Sequence, residues 1–205
     1  KRMFISLEGS EGAGKSTLID SLKKFFKKNK IEFLFTREPG ATKEGQILRE
    51  ILLDKSIEID PYTETFLLVA DRLLHTNKIV IPALAKDINV LSDRYIDSTY
   101  AYQGAGRGIS QEYLDQIIEP LNLPMPELTI YLDLPVEEGL KRAKYRDELD
   151  RFEEENIKFF ERIRSFYLEQ AKKNPNRFLI IDSSKDKEEV FEISKNLILN
   201  KLNEK

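Results

Sequence analysis

Eight consecutive residues, Gly9-Ser10-Glu11-Gly12-Ala13-Gly14-Lys15-Ser16, carry the spacing G-x-x-x-x-G-K-[ST]. Glycines so placed let backbone N–H groups close around a phosphate, and a helix opening at Lys15 adds the positive end of its dipole. Lys15 would reach the β and γ oxygens of a nucleoside triphosphate, and the Ser16 hydroxyl would ligate the Mg²⁺ that accompanies it. With Thr17, the candidate triphosphate-binding residues are Gly9, Ser10, Glu11, Gly12, Ala13, Gly14, Lys15, Ser16 and Thr17. The competing reading is a glycine-rich turn with a fortuitous lysine. Such a turn would join strand to helix, but the full motif in its strand–loop–helix setting weighs against coincidence.

A phosphate loop is shared by GTPases, motor ATPases, transporters and small-molecule kinases, so other residues must decide. A guanine-reading N-K-x-D motif is absent: the fourth apolar run ends in Leu132-Asp133-Leu134-Pro135, and Asn174-Pro175-Asn176 lacks the lysine and aspartate. Motor ATPases are usually longer. A kinase acting on a phosphorylated acceptor must hold two anions in line and neutralise their repulsion. Arginines suit such a role, and the candidates are Arg37 with Glu38 after the second run, Arg49 and Arg72 on helical segments, and Asp93-Arg94-Tyr95 after the third run. A lone arginine usually only solubilises, but these fall where strands end, and ligands of an open parallel sheet collect at that edge. A non-catalytic nucleotide sensor would have no use for this second cationic set.

The elements needed to position these groups are legible as periodicity. Apolar or β-branched runs at Met3–Leu7, Ile31–Thr36, Asp87–Leu91, Leu128–Leu132 and Arg177–Ile181 predict buried strands. Helical spacing lies between them, as in Leu18, Leu22, Phe25 and Phe26, and again in Phe159, Ile163, Phe166 and Tyr167. The alternation predicts an α/β fold, an open parallel five-stranded sheet with helices on both faces, built as one domain over residues 1–205. Residues 185–205 read as an amphipathic surface helix with Val190, Ile193, Leu197 and Ile198 inward.

Composition narrows the partners. With 33 basic and 36 acidic residues the net charge is −3, which provides no general field for nucleic acid or an anionic membrane. There is no cysteine, which removes disulfides and thiolate metal sites, and the one histidine, His75, cannot form a histidine cluster. No run approaches the roughly 18 apolar residues of a membrane span, so the chain reads as soluble, unprocessed and cytoplasmic. Lys141 to Glu155 crowds charges of both signs. Such a run is ordinarily a solvated helix face, but beside a phosphate site it reads as a lid carrying arginines.

Taken together, these residues resemble the thymidylate kinases over nearly the whole chain. The resemblance runs through Glu8 to Thr17, then Thr36-Arg37-Glu38-Pro39-Gly40-Ala41-Thr42, similar to T-R-E-P-G-G-T. It continues in Asp93 to Gly108, similar to D-R-Y-x-x-S-x-x-A-Y-Q-G-x-x-R-G. It implies a P-loop nucleoside monophosphate kinase fold, ATP as donor, dTMP as acceptor, and a homodimer. It also implies roles: Arg37, Arg49 and Arg94 on the acceptor phosphate, Arg94 and Lys15 as catalytic groups, and Arg72, Thr99 and Gln103 on the thymine edge. Tyr102 would face the sugar, Glu11 the sugar 3′-hydroxyl and metal, and Asp93, with Ser16, the Mg²⁺. Glu38 would organise the arginines.

Two features set this chain within that family. The phosphate loop has no basic residue at Ser10-Glu11-Gly12, so the resemblance is to the bacterial type, with its catalytic arginine in a lid over residues 142–153. Arg142, Arg146 and Arg151 lie in that stretch, and Arg146 and Arg151 are the expected catalytic pair. Leu68 stands where the family places a phenylalanine that stacks on thymine, and Phe66, two residues earlier, is expected in the core.

Overall fold

A computed structural model describes residues 2–144, 151–152 and 155–204. Among these residues, five strands form one parallel sheet: β1 (Phe4–Gly9), β2 (Phe33–Arg37), β3 (Asn89–Asp93), β4 (Leu128–Asp133) and β5 (Phe178–Asp182), in the order β2-β3-β1-β4-β5. The helices are α1 (Lys15–Lys28), α2 (Lys43–Leu53), α3 (Pro61–His75), α4 (Ile81–Ala85), α5 (Ile96–Thr99), α6 (Gln111–Ile118), α7 (Val136–Lys144), α8 (Ile157–Lys173) and α9 (Lys187–Asn203). Short π-helical stretches, Thr76–Val80 and Tyr100–Gly106, extend α3 and α5.

β1 lies at the centre, and all six of its residues are buried. On one side of the sheet Met3, Ile5 and Leu7 pack with Leu18, Leu22 and Phe26 of α1 and with Val190 and Ile198 of α9. On the other, Phe4, Val90 and Tyr95 meet Val69 and Val80, while Tyr131 and Phe178 meet Phe159, Phe160, Ile163 and Tyr167 of α8. Helices therefore cover both faces, as the strand–helix alternation predicts, and α9 turns its expected apolar residues inward. Phe66, by contrast, is half exposed rather than in the core, because that side of α3 faces outward.

The first three strands begin one or two residues later than the apolar runs suggest and also end one or two residues later. Lys30 and Asp87 adopt left-handed φ values of 56° and 58°, which close the preceding helical segments and delay pairing. The ladders then run on to Arg37↔Asp93 and Gly9↔Leu132. The carboxyl ends of β1, β2 and β3 thereby deliver Gly9, Arg37 and Asp93 to a common edge.

Candidate active site

The loop from Ser10 to Gly14 leaves the buried end of β1 and enters α1, whose first residue is Lys15. Gly12 and Gly14 have φ of 72° and 87°, a region costly for a residue with a Cβ. Gly12 is also in close backbone contact with Gly139 of α7: a Cβ on either would drive into the carbonyl oxygen of the other's segment. Gly9 lies beneath the loop, where a Cβ would meet Ala13 at 3.1 Å.

Lys15 Nζ stands 3.6 Å from Asp93 Oδ1, and that oxygen is buried with no hydrogen-bond partner among the described residues. A buried carboxylate oxygen without a donor fits a cation, and Ser16 supplies a hydroxyl at the start of α1. Among the described residues no cluster of three or more His, Cys, Asp or Glu forms a protein-only cage. A nucleotide-borne Mg²⁺ needs none, since it takes phosphate oxygens, waters and one or two protein ligands.

Opposite the loop lies a cationic wall. Arg94 follows β3 with φ of 68°; its backbone N–H donates to Leu7 O at 3.0 Å, which fixes the turn on β1. Its guanidinium lies 4.9 Å from the Tyr102 ring centre and 3.5 Å from Glu11 Oε1. Arg49 Nη1 donates to Pro39 O at 3.1 Å. Arg37 is exposed at the end of β2. The buried Arg72 is held at three points: Nε donates to Glu38 Oε2 at 2.7 Å, Nη1 to Thr99 Oγ1 at 2.6 Å, and Nη2 to Tyr95 O at 2.9 Å. Glu38 Oε1 also accepts from His75 Nδ1 at 2.7 Å, while His75 Nε2 pairs with Thr36 Oγ1 at 2.8 Å. Glu38 thus organises an arginine and a histidine together. Asp71 accepts from Gly40 N at 3.0 Å and steadies the turn between Arg37 and α2; burial pushes its carboxyl up to about 6.

One cleft of about 310 Å³ joins the two halves. Its lining includes the whole segment from Ser10 to Thr17, together with Asp93 and every acceptor-side residue expected from the sequence: Glu11, Arg37, Glu38, Arg49, Leu68, Arg72, Arg94, Thr99, Tyr102 and Gln103. Arg151 does not line it. Its Nη2 instead donates to Glu64 at 2.6 Å and its Nε to Leu52 O at 2.8 Å. Arg142 pairs with Glu138 one turn back on α7. Arg146 lies outside the described residues.

Several residues beyond the expected site set belong here. Ser98, Leu53 and Phe152 also line the cleft. Glu8, fully buried at the end of β1, accepts from Tyr95 N at 2.9 Å, Ser98 Oγ at 2.6 Å and Tyr167 OH at 2.7 Å, tying the Arg94 turn to α8. Burial, and then the nearby Asp97, push its carboxyl up to about 7, against Arg94 and the two hydroxyls, which favour the carboxylate. Glu8 falls within the stretch from Glu8 to Thr17 and Ser98 within that from Asp93 to Gly108, so both lie in legible motifs without a stated role; Gly139 offers no signal.

Residues 7–193 match the family model described as thymidylate kinase. Among curated relatives, the thymidylate kinase of Neisseria meningitidis serogroup B is 41% identical over 191 residues, 93% of each chain. That of Teredinibacter turnerae is 44% identical over 182 residues, 88% of this chain and 89% of its own. The crystal structure of thymidylate kinase from Ehrlichia chaffeensis superposes with a TM-score of 0.80 at 30% identity, covering 97% of this chain and 98% of that one.

Proposed function

The chain belongs to the thymidylate kinase family, and from that premise we propose that it transfers the γ-phosphoryl group of Mg-ATP directly to dTMP, giving dTDP and ADP. The observation that carries this reading is the single cleft in which the phosphate loop and the arginine wall face each other. Two phosphorylated molecules held there meet end to end, which is what in-line transfer requires.

Backbone N–H groups of Ser10 to Ser16 and the Lys15 ammonium hold the donor phosphates. Ser16 and Asp93 would hold Mg²⁺, which would supply charge neutralisation at the phosphates. Arg37, Arg49 and Arg94 hold the acceptor phosphate, with Arg94 supported from below by Tyr102. No side-chain base is needed, because the attacking oxygen belongs to a phosphate that is already anionic. Arg72, Thr99 and Gln103 read the base edge, Leu68 forms its apolar wall, and Tyr102 and Glu11 border the sugar. The cation over the transferred group comes from the lid, through Arg146 or Arg151.

We assign the working form as a homodimer. Tyr62 and Phe66, both on α3 and half exposed, provide an apolar surface for a second copy. Phe66→Glu should shift the sedimentation of a dimer to that of a monomer. A chain without cysteine suits a reducing cytoplasm, and no helix among the described residues is long and apolar enough to cross a membrane.

A coupled assay of ADP release tests the activity. Turnover of dTMP should exceed that of UMP, CMP, AMP and GMP. Equal turnover of several would reject the assigned acceptor.

A further inference from the structure

Gln103 has a side chain with two ends of opposite polarity and nearly equal shape, so its orientation follows from what it bonds. Its Nε2 donates to Glu64 Oε1 at 2.8 Å. Glu64 is fully buried in the first turn of α3. The same carboxylate receives Arg107 Nε at 3.1 Å, Arg107 Nη2 at 3.2 Å and Arg151 Nη2 at 2.6 Å. A carboxylate held between guanidinium groups accepts on both oxygens and has nothing to donate to an amide carbonyl. The Gln103 NH₂ is therefore committed to Glu64, and its carbonyl oxygen turns the other way. Gln103 lines the cleft beside Leu68, Arg72 and Thr99.

We propose that Glu64 is a positioning residue that sets base selectivity, because it fixes the Gln103 amide with its oxygen toward the acceptor base. An oxygen there accepts from a ring nitrogen that carries hydrogen, as N3 of thymine and uracil does. Cytosine offers a bare lone pair at N3, and two acceptors brought together out of water leave both unpaired. The inference rests on the acceptor being a pyrimidine nucleoside monophosphate, as proposed above. Glu64 never touches that molecule.

The test compares kcat/KM for dTMP, dUMP and dCMP in the parent chain and two variants. Glu64→Gln bonds Gln103 through either end of its own amide, so the orientation is no longer dictated. The dTMP-to-dCMP ratio should fall at least about tenfold, while the dTMP-to-dUMP ratio, which depends on a methyl group, should stay within about twofold. Gln103→Met keeps the bulk, leaves Glu64 with both guanidinium groups, and should produce the same fall even if Glu64→Gln folds poorly. In the double variant no further loss should appear. A dTMP-to-dCMP ratio unchanged in Gln103→Met overturns the inference. So does a Glu64→Gln protein in which all three substrates weaken together. A parent chain with no preference for dTMP overturns the acceptor assignment itself, and this inference with it.

Discussion

Replacing Glu8 with glutamine removes a buried titrating group and leaves its shape nearly intact. The folded carboxyl titrates near 7 and the ordinary value is 4.5. Between those values the folded protein keeps a proton that the unfolded chain has released, so folding weakens as pH rises through the interval. A difference of that size is worth on the order of 3 kcal/mol. Glutamine is neutral throughout, so the variant escapes this loss. Its stability relative to the parent should be flat below about pH 4.5, climb in the variant's favour toward pH 7, and flatten above. A constant offset is superposed, since the new NH₂ meets the hydroxyls of Ser98 and Tyr167, which now donate to Glu8. The raised carboxyl of Asp71 is common to both proteins and cancels in the difference. Urea midpoints measured from pH 4 to pH 8, converted with the fitted slopes, supply the curve. A difference constant to within about 0.5 kcal/mol across that range would refute the assignment of a protonated, buried Glu8.

Gly139→Ala should press on the Glu11 carbonyl and shift the phosphate loop; kcat/KM for ATP should fall roughly ten- to hundredfold with little change for dTMP, read by initial rates. Arg146→Ala should lower kcat by about 10³-fold or more if that residue supplies the lid cation. Arg151→Ala, starting from a guanidinium engaged by Glu64, should act mainly on KM for dTMP, and steady-state kinetics of the two variants separates the roles. Leu68→Phe should strengthen dTMP binding by stacking worth about 1 kcal/mol, seen as a several-fold lower KM. An unchanged KM would show that position 68 does not face the base.

What the chain reveals without its structure divides by range. The phosphate loop and the strand alternation are local patterns, so loop and fold are both readable, and the starts of β2 and β3 are missed because Lys30 and Asp87 turn through left-handed backbone. The arginine wall is readable because each member follows a strand or lies on a helix with a recognisable neighbour. The contact of Arg151 with Glu64 is not readable, because the two are 87 residues apart and no spacing rule links them. Gly139 likewise matters only through a segment remote in sequence. Glu8, Glu64 and Asp71 act through third residues, and a carboxylate's partners are not encoded in its own surroundings.

Arg94 holds its guanidinium over Tyr102 from a backbone with φ of 68°, a conformation that costs an arginine roughly 1 kcal/mol and a glycine almost nothing. On the role proposed for Arg94, heat resistance and turnover make opposite demands at this position. A library of variants sorted for survival at high temperature would drift toward glycine or asparagine there. One sorted for growth on the product would return the arginine every time, so the two outcomes together would mark residue 94 as kept for its chemistry at the expense of the fold.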